Sequence, residues 1–535
     1  MNLKVRFFVL IVSIVFSNFA ATQMFAGDLD ENDPNKVIKV APPAPVFTDA
    51  ERKAELAKRR KQVADAMADD SMLILFSADS KLYTNDVEYV YRQENNLYYL
   101  TALKQNGVML AMTKKDGVVK EILFLPKRNP QFETWNGRMY SNEDATRLSG
   151  LETIVDTKFF KEFQEAVKNK QAFTAADESF SNTFIPKNLY ILQGNRREFA
   201  DENVFADSLQ GYSVRNALPI FAKLRLVKSP YEIKLMRHAI AITNEGIMRA
   251  MGMIDKADWE YEVQAEVEYT FRRRNADFWG YPSIVGCGLN ATTLHYVESQ
   301  GKVLNGDLML MDVGAEYDHY TADITRTFPV NGKFTKEQAD IYKIVYDAQE
   351  AAAAKLKPGV SVGEASLAAR QVIIEGLYKL GLITEKNSNQ YRLWYMHGWG
   401  HWLGMNVHDV GNGGTPLQEG MITTNEPGIY IREDALDYLD DTPENRAFLA
   451  KVRPAFEKYK NIGVRIEDDM LITKTGVEWM TKDLPRKLED VEAFMARAKK
   501  EMRNNSILRN DLNPALAVNV LDFINQAETR KIHSH

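Results

Sequence analysis

Four short segments between Leu308 and Asp469 carry acids and histidines in an order suited to chemistry on water. They are Asp312 to Asp323, His397-Gly398-Trp399-Gly400-His401, Asn425-Glu426-Pro427-Gly428, and Arg465-Ile466-Glu467. Asp312, Asp323, His401, Glu426 and Glu467 form a candidate ligand set for two divalent cations. A pair of such ions activates water, so the set points to hydrolysis.

Asp312 and Asp323 flank Tyr317-Asp318 symmetrically. If the segment is a hairpin turning there, the two acids face each other with Cβ atoms about 4.5–5.5 Å apart. His397 and His401 have the spacing of two helical ligands, but Gly398 and Gly400 between them, and no glutamate at 398, rule out the helical zinc-protease motif. Taken alone, each of these histidines reads as a core or surface residue, as does His408 on its apolar stretch. Pro427-Gly428 fixes a turn that aims Glu426 from a strand end. Alternation puts Val464 and Ile466 opposite Arg465 and Glu467, so Glu467 is either the partner of Arg465 or a ligand.

Repulsion decides for the ensemble. Two carboxylates about 4 Å apart repel by roughly 4 kcal/mol at an effective dielectric of 20. Four of them converging require cations, and two divalent ions carry the matching charge. An oxygen-rich set with one imidazole favours manganese or another first-row ion over a structural zinc.

The elements that must hold these residues follow from the rest of the chain. At 535 residues, two domains with short appendages are expected. The net charge of −6 and the lack of a basic stripe with aromatics exclude a nucleic-acid partner. One cysteine, Cys287, excludes a disulfide framework and a thiolate zinc site, and it reads as a small buried residue. Residues 1–26 read as a signal peptide: a basic start, an apolar run from Phe7 to Phe16, then Ala20, Ala21 and Ala26. The protein is therefore expected in the periplasm or secreted, with an uncleaved membrane anchor as the alternative.

Residues 27–48, acidic and then proline-rich, read as an extended tether. An α/β domain is expected over 49–216, with a helix over 49–69, a strand over 72–76, and alternating strands and helices after it. A catalytic domain follows over 217–485. Its first long helix starts at Ser229, which can cap, with Pro230 and Glu232 in the first turn. Strands are expected at 281–286, 307–314 and 325–330, and strong helices over 336–356 and 362–380. A charged insertion spans about 432–460. Residues 486–535 form a C-terminal extension whose helix, 487–502, is expected to be exposed and amphipathic.

These segments together resemble the pita-bread metallopeptidases, most similar to aminopeptidase P (Xaa-Pro aminopeptidase), with prolidase next. The resemblance rests on Ser283-Ile284-Val285-Gly286 with Leu294-His295-Tyr296, Asp312 through Thr327, His397 to His401, His408-Asp409, Glu426-Pro427-Gly428 and Arg465 to Asp468. In the first domain it rests on Tyr91-Arg92-Gln93 and Leu97 to Thr101, and it covers most of 50–485. It implies an α/β (α+β) architecture, in which a creatinase-like N-terminal domain precedes a curved, mainly antiparallel sheet covered by helices.

The resemblance also implies roles. Asp312 and His401 are terminal ligands on different metals, Asp323 and Glu467 bridge, and Glu426 binds metal and helps deprotonate the shared water. His295 and His408 hold the scissile carbonyl, the tetrahedral intermediate or the leaving proline nitrogen. Arg465 orients the ligands, and His397 lines the substrate pocket. The cofactors are two divalent ions, most suitably Mn2+, with Zn2+, Co2+ or Fe2+ as substitutes. A homodimer or homotetramer is a further implication.

The implied reaction releases the N-terminal residue from peptides with proline second, through metal-activated water. The long insertion is closer to prolidase, which takes Xaa-Pro dipeptides. Prolidase-like enzymes hold the dipeptide carboxylate with an arginine that is missing between Asp409 and Asn425, which favours aminopeptidase P. A non-catalytic binding module on the same fold would have lost ligands, and all five are present here.

Overall fold

The computed structural model describes residues 36–194 and 199–510, with 504–510 as backbone only. The leader read at 1–26, the first part of the tether (27–35) and the end of the C-terminal extension lie outside the described residues. Among the described residues no helix is long and apolar enough to cross a membrane.

The N-terminal domain is built on a six-stranded mixed sheet. Its strands run, edge to edge, Ser213–Asn216, Asn188–Ile191, Ser71–Leu75, Met109–Lys115, Val118–Leu125 and Ile154–Asp156. The strand Ser71–Leu75 is buried on both faces. Met72 and Ile74 pack with Phe124, Phe160 and Phe163 on one side. Leu73 and Leu75 join the large core of the molecule on the other. The helix Asp49–Ala66 covers this sheet and starts in a capping box between Thr48 and Glu51, which satisfies two of its otherwise unpaired N–H groups.

The catalytic domain is built from antiparallel ladders. Leu308–Val313 lies between Ile284–Cys287 and Ile324–Pro329. Ile422–Asn425 pairs with Asp468–Ile472, and Gly428–Ile431 pairs with Ile462–Arg465. The helix Pro230–Met253 begins at Ser229 in a capping box with Glu232, as its sequence predicts. The helices Lys336–Ala353 and Val362–Leu380 pack against each other. From the first of them, Gln349 Nε2 reaches the carbonyl of Asn425 at 3.0 Å and Asp468 Oδ2 at 2.7 Å, tying the helix layer to the site strands.

Three expectations change, and one segment gains an element. The hairpin turns at Asp318-His319, with Tyr317 opposite Tyr320, and Asp312 consequently faces Thr325 rather than Asp323. The register differs from the symmetric one by two residues, and an even shift leaves every side chain on its expected face. Asp312 and Asp323 are therefore diagonal neighbours on one face.

The tether is extended where it is described, but it is packed. Ile38 and Ala41 are buried, Ala41 N donates to Glu245 Oε2 at 2.9 Å, and Phe47 stacks on Tyr231. The helix Leu488–Asn510 is likewise not exposed, because Val491, Phe494, Met495 and Ala498 are buried. It lies so close to the helix Pro230–Met253 that a Cβ at Gly252 would stand 2.9 Å from Met502. Finally, the charged insertion contains a helix, Pro443–Tyr459, anchored by Phe448, Val452 and Phe456.

Candidate metal centre

Four of the five candidate ligands stand in or beside strands of the antiparallel ladders, and the fifth lies in a loop. Asp312 ends the strand Leu308–Val313, and Asp323 immediately precedes Ile324–Pro329. Glu426 follows Ile422–Asn425, and Glu467 sits between the strands Ile462–Arg465 and Asp468–Ile472. His401 lies in a loop stitched to a strand, with Thr424 N donating to its carbonyl at 2.9 Å and its own N–H donating to Thr424 Oγ1 at 3.0 Å. Gly400 permits this approach, because a Cβ there would stand 2.5 Å from the Thr424 carbonyl oxygen.

These residues converge. His401 Nε2 lies 3.2 Å from Asp323 Oδ2 and 3.3 Å from Glu426 Oε1. Ligand atoms of Asp323, His401 and Glu467 all fall within 4.8 Å of one another. His401 Nδ1 lies 3.2 Å from the Trp402 carbonyl. A carbonyl only accepts, so Nδ1 carries a proton; Nε2 donates to the acids when the ring is charged and offers its lone pair to a cation when the ring is neutral.

Arg465 is the cation already present among the acids. Its Nη2 donates to Asp312 Oδ2 at 2.5 Å, its Nη1 to the Tyr430 hydroxyl at 2.7 Å and its Nε to Thr325 Oγ1 at 3.0 Å. Glu467 is 3.8 Å from Nε, so the salt bridge of Arg465 is made chiefly with Asp312. Glu467 instead accepts from Thr325 Oγ1 at 2.6 Å and keeps capacity for a cation.

One arginine and one imidazole do not balance this charge. Burial, then the charges of Asp323, Glu426 and Asp312, hold Glu467 well above the usual carboxylate range. Burial also raises Asp312, against the pull of Arg465. It pushes Glu426 up to about 7, although His401 opposes it. Burial lowers His401, but the hydrogen bond and charge of Asp323 outweigh it and bring the ring up to about 9. Three converging acids whose ionised forms are disfavoured, Asp312, Glu426 and Glu467, suit a divalent cation, which supplies what the protein lacks. The donor set fits the metals implied by the sequence.

The remaining predicted residues lie around this centre. The His408 ring is edge-on to His401, with centroids 4.4 Å apart. His397 Nε2 lies 2.9 Å from the Tyr430 hydroxyl, and its Nδ1 is 3.7 Å from Glu426 Oε2. Burial, then the charge of Arg465, pulls His397 down to about 4. His295 is exposed, between Leu294 and Tyr296, which pack on Tyr430, Leu310 and Ile284. It is near enough for its charge to lower His397.

Sequence reasoning missed four residues that shape the site. The Tyr281 hydroxyl lies 2.5 Å from Asp312 Oδ1 and 2.6 Å from Asp323 Oδ1. Tyr430 joins His397 to Arg465. Asp469 is fully buried, accepts from Asp323 N at 3.3 Å and has an Oδ1 with no hydrogen-bond partner. Asn425 accepts from Trp399 Nε1 at 2.7 Å and donates to the Gln349 carbonyl at 2.9 Å. Only the alternation around Glu467 hinted at any of these.

A two-domain α/β fold with a buried acid and imidazole cluster at the junction of antiparallel ladders defines a metallohydrolase. Residues 234–474 match metallopeptidase family M24, and residues 56–174 match the aminopeptidase P N-terminal domain. The chain belongs to this family. It is 37% identical over 453 residues to the Xaa-Pro aminopeptidase of Haemophilus influenzae, covering 83% of this chain and 97% of that protein. It is 33% identical to the Xaa-Pro aminopeptidase of Escherichia coli, covering 84% and 98%. Escherichia coli aminopeptidase P with the inhibitor Pro-Leu superposes with a TM-score of 0.73 at 32% identity, over 84% of this chain and 99% of that one.

Proposed function

We propose that this protein is an Xaa-Pro aminopeptidase: a metal-dependent exopeptidase that removes the first residue from peptides with proline second. The observation that carries the reading is the convergence of Asp323, His401 and Glu467 in a chain that aligns with nearly the whole of an Xaa-Pro aminopeptidase. Asp312, Asp323, His401, Glu426 and Glu467 hold two divalent ions. The hard, carboxylate-rich donor set favours manganese. Bound there, the ions supply a nucleophile from water at neutral pH and polarise the scissile carbonyl.

The chain's own residues do the rest. Glu426 takes a proton from the attacking water and can return it to the leaving nitrogen. His408 and His295 donate to the oxygen on which charge develops. Arg465 and Tyr281 hold Asp312 and Asp323 in place from behind. His397 and Tyr430 form a wall of the pocket. The peptide's free amine is drawn to the carboxylates, which makes cleavage exopeptidic. Proline's amide nitrogen has no hydrogen, so the residue is recognised by shape.

No arginine stands between Asp409 and Asn425 to hold a dipeptide carboxylate, and this supports longer substrates over the prolidase reading. The leader at 1–26 supports a periplasmic or secreted location. A homodimer or homotetramer, implied by the family resemblance, is the assembly we propose.

The test compares an Xaa-Pro-Yaa tripeptide with an Xaa-Pro dipeptide, using mature protein loaded with manganese and a chelated control. Release of Xaa from the tripeptide, lost on chelation, is the expected result. Preference for the dipeptide would make the protein a prolidase. Cleavage of neither, with metal bound, would overturn the proline-specific reading.

A further inference from the structure

The loop that carries His408 is gripped from outside the catalytic sheets. Asp409, the next residue, has a side chain that is 0% exposed. Its Oδ1 accepts from Arg225 Nη2 at 2.6 Å, and its Oδ2 lies 3.5 Å from Lys228 Nζ. Arg225 lies at the end of the helix Leu218–Leu226, which links the two domains, and its side chain is 2% exposed. Its other terminal nitrogen, Nη1, donates to Asn96 Oδ1 of the N-terminal domain at 2.8 Å.

The opposite side of the loop is also held. Arg92 Nη2 donates to the Met405 carbonyl at 2.8 Å, and Asn95 Nδ2 donates to Asn406 Oδ1 at 2.7 Å. Inside the loop, Asp409 N donates to the Trp402 carbonyl at 2.9 Å. Gly404 leaves the space that the Asp409 carboxylate occupies, since a Cβ there would collide with Asp409 Oδ2. The backbone is thus fixed on both sides of an exposed ring lying against His401.

The geometry points to Arg225 as a positioning residue that sets His408 against the metal centre through the buried carboxylate of Asp409, and so couples the N-terminal domain to the reaction. The inference rests on the aminopeptidase reading for its kinetic consequence, but not for its structural one. Without Arg225 the buried Asp409 loses its close partner and keeps only Lys228 at 3.5 Å, and the loop shifts to compensate the carboxylate. The imidazole beside it moves too, and an oxyanion donor displaced by an ångström loses most of its effect.

The test uses the full-length protein and the variants Arg225→Gln, Arg225→Lys, His408→Ala and Arg225→Gln with His408→Ala. Two quantities are read: kcat and KM on a tripeptide such as Ala-Pro-Ala with manganese loaded, and the ring signals of isotope-labelled histidines without substrate. The His408 signal is the one missing from His408→Ala.

Arg225→Gln is expected to lower kcat about 10-fold or more with KM changed less than about 3-fold, and adding His408→Ala is expected to cost no more than His408→Ala alone. The His408 signal shifts in Arg225→Gln, and Arg225→Lys restores both readouts in part. Additive losses, or an unmoved His408 signal, would overturn the inference. If Arg225→Gln does not fold, Arg92→Gln reads the same signal from the other side of the loop, and an unmoved signal there counts equally against it. An inactive parent protein would defeat the functional reading alone, because the ring signal still decides the positioning.

Discussion

The hydroxyl of Tyr281 lies 2.5 Å from Asp312 Oδ1 and 2.6 Å from Asp323 Oδ1, so a single proton serves two carboxylates. A hydroxyl donates only once. It fixes the spacing of the two acids, whose other oxygens face Arg465 Nη2 and His401 Nε2. Replacing Tyr281 with Phe keeps the ring and removes the tether. Tyr281→Phe is expected to weaken manganese binding about 10- to 100-fold, as measured by titration calorimetry. Unchanged affinity would show that the hydroxyl is dispensable to the ligand geometry.

Removing metal makes the protein sensitive to alkali. Glu467 and Asp312 are raised, Glu426 is brought to about 7, and His401 to about 9. Between the ordinary values of these groups and the raised ones, the folded chain binds more protons than the unfolded chain, so stability falls as pH rises. All four groups act in the same direction. Chelated protein is expected to lose Tm steadily from about pH 5 to about pH 8, where the loaded protein changes little, widening the gap between them. A scanning-fluorimetry series with a constant gap would refute this.

Asn425 is fully buried and satisfies the indole N–H of Trp399 at 2.7 Å. Asn425→Ala leaves that donor stranded, at an expected cost of about 1–3 kcal/mol, measured by urea unfolding. Loss of activity is expected to be smaller than loss of stability, since no proposed ligand touches the amide.

Met495 is 0% exposed on the helix Leu488–Asn510. Met495→Ala should destabilise the catalytic domain by about 2–5 kcal/mol. A neutral result in thermal unfolding would mean that this helix docks only loosely.

The chemistry was the most legible part of the chain, because each proposed ligand stands in a compact segment flanked by glycine, proline or alternating apolar residues. Where long-range packing decides, local signals fell short. The hairpin turn uses Asp318 and His319, both with positive φ (51° and 68°), a conformation usually signalled by Asn-Gly. It is held here by the Tyr98 ring stacked 3.7 Å from His319 and the Tyr98 hydroxyl on Asp318, partners more than two hundred residues away.

No helix was read within the charged insertion, where the helix Pro443–Tyr459 carries Pro454, an interior residue that costs a backbone hydrogen bond. Its apolar stripe of Phe448, Val452 and Phe456 outweighs that cost. The helix Leu488–Asn510 was recognised as a helix, but its buried face was not, since charged residues surround Phe494 and Met495 on the sequence. Tyr281 and Asp469 gave no local sign at all, because their importance lies in whom they meet.

Val37 N donates to Glu501 Oε2 at 2.8 Å, joining residues 464 positions apart. The described polypeptide therefore closes on itself like a buckled belt. A short linker from residue 501 back to residue 37, with new termini opened in the exposed turn at 411–414, should give a circularly permuted chain with the same centre. In such a chain His408 would stand near the end, and Glu426 and Glu467 would precede Asp312. The order in which the ligands are read along the polypeptide would then have no bearing on how they meet.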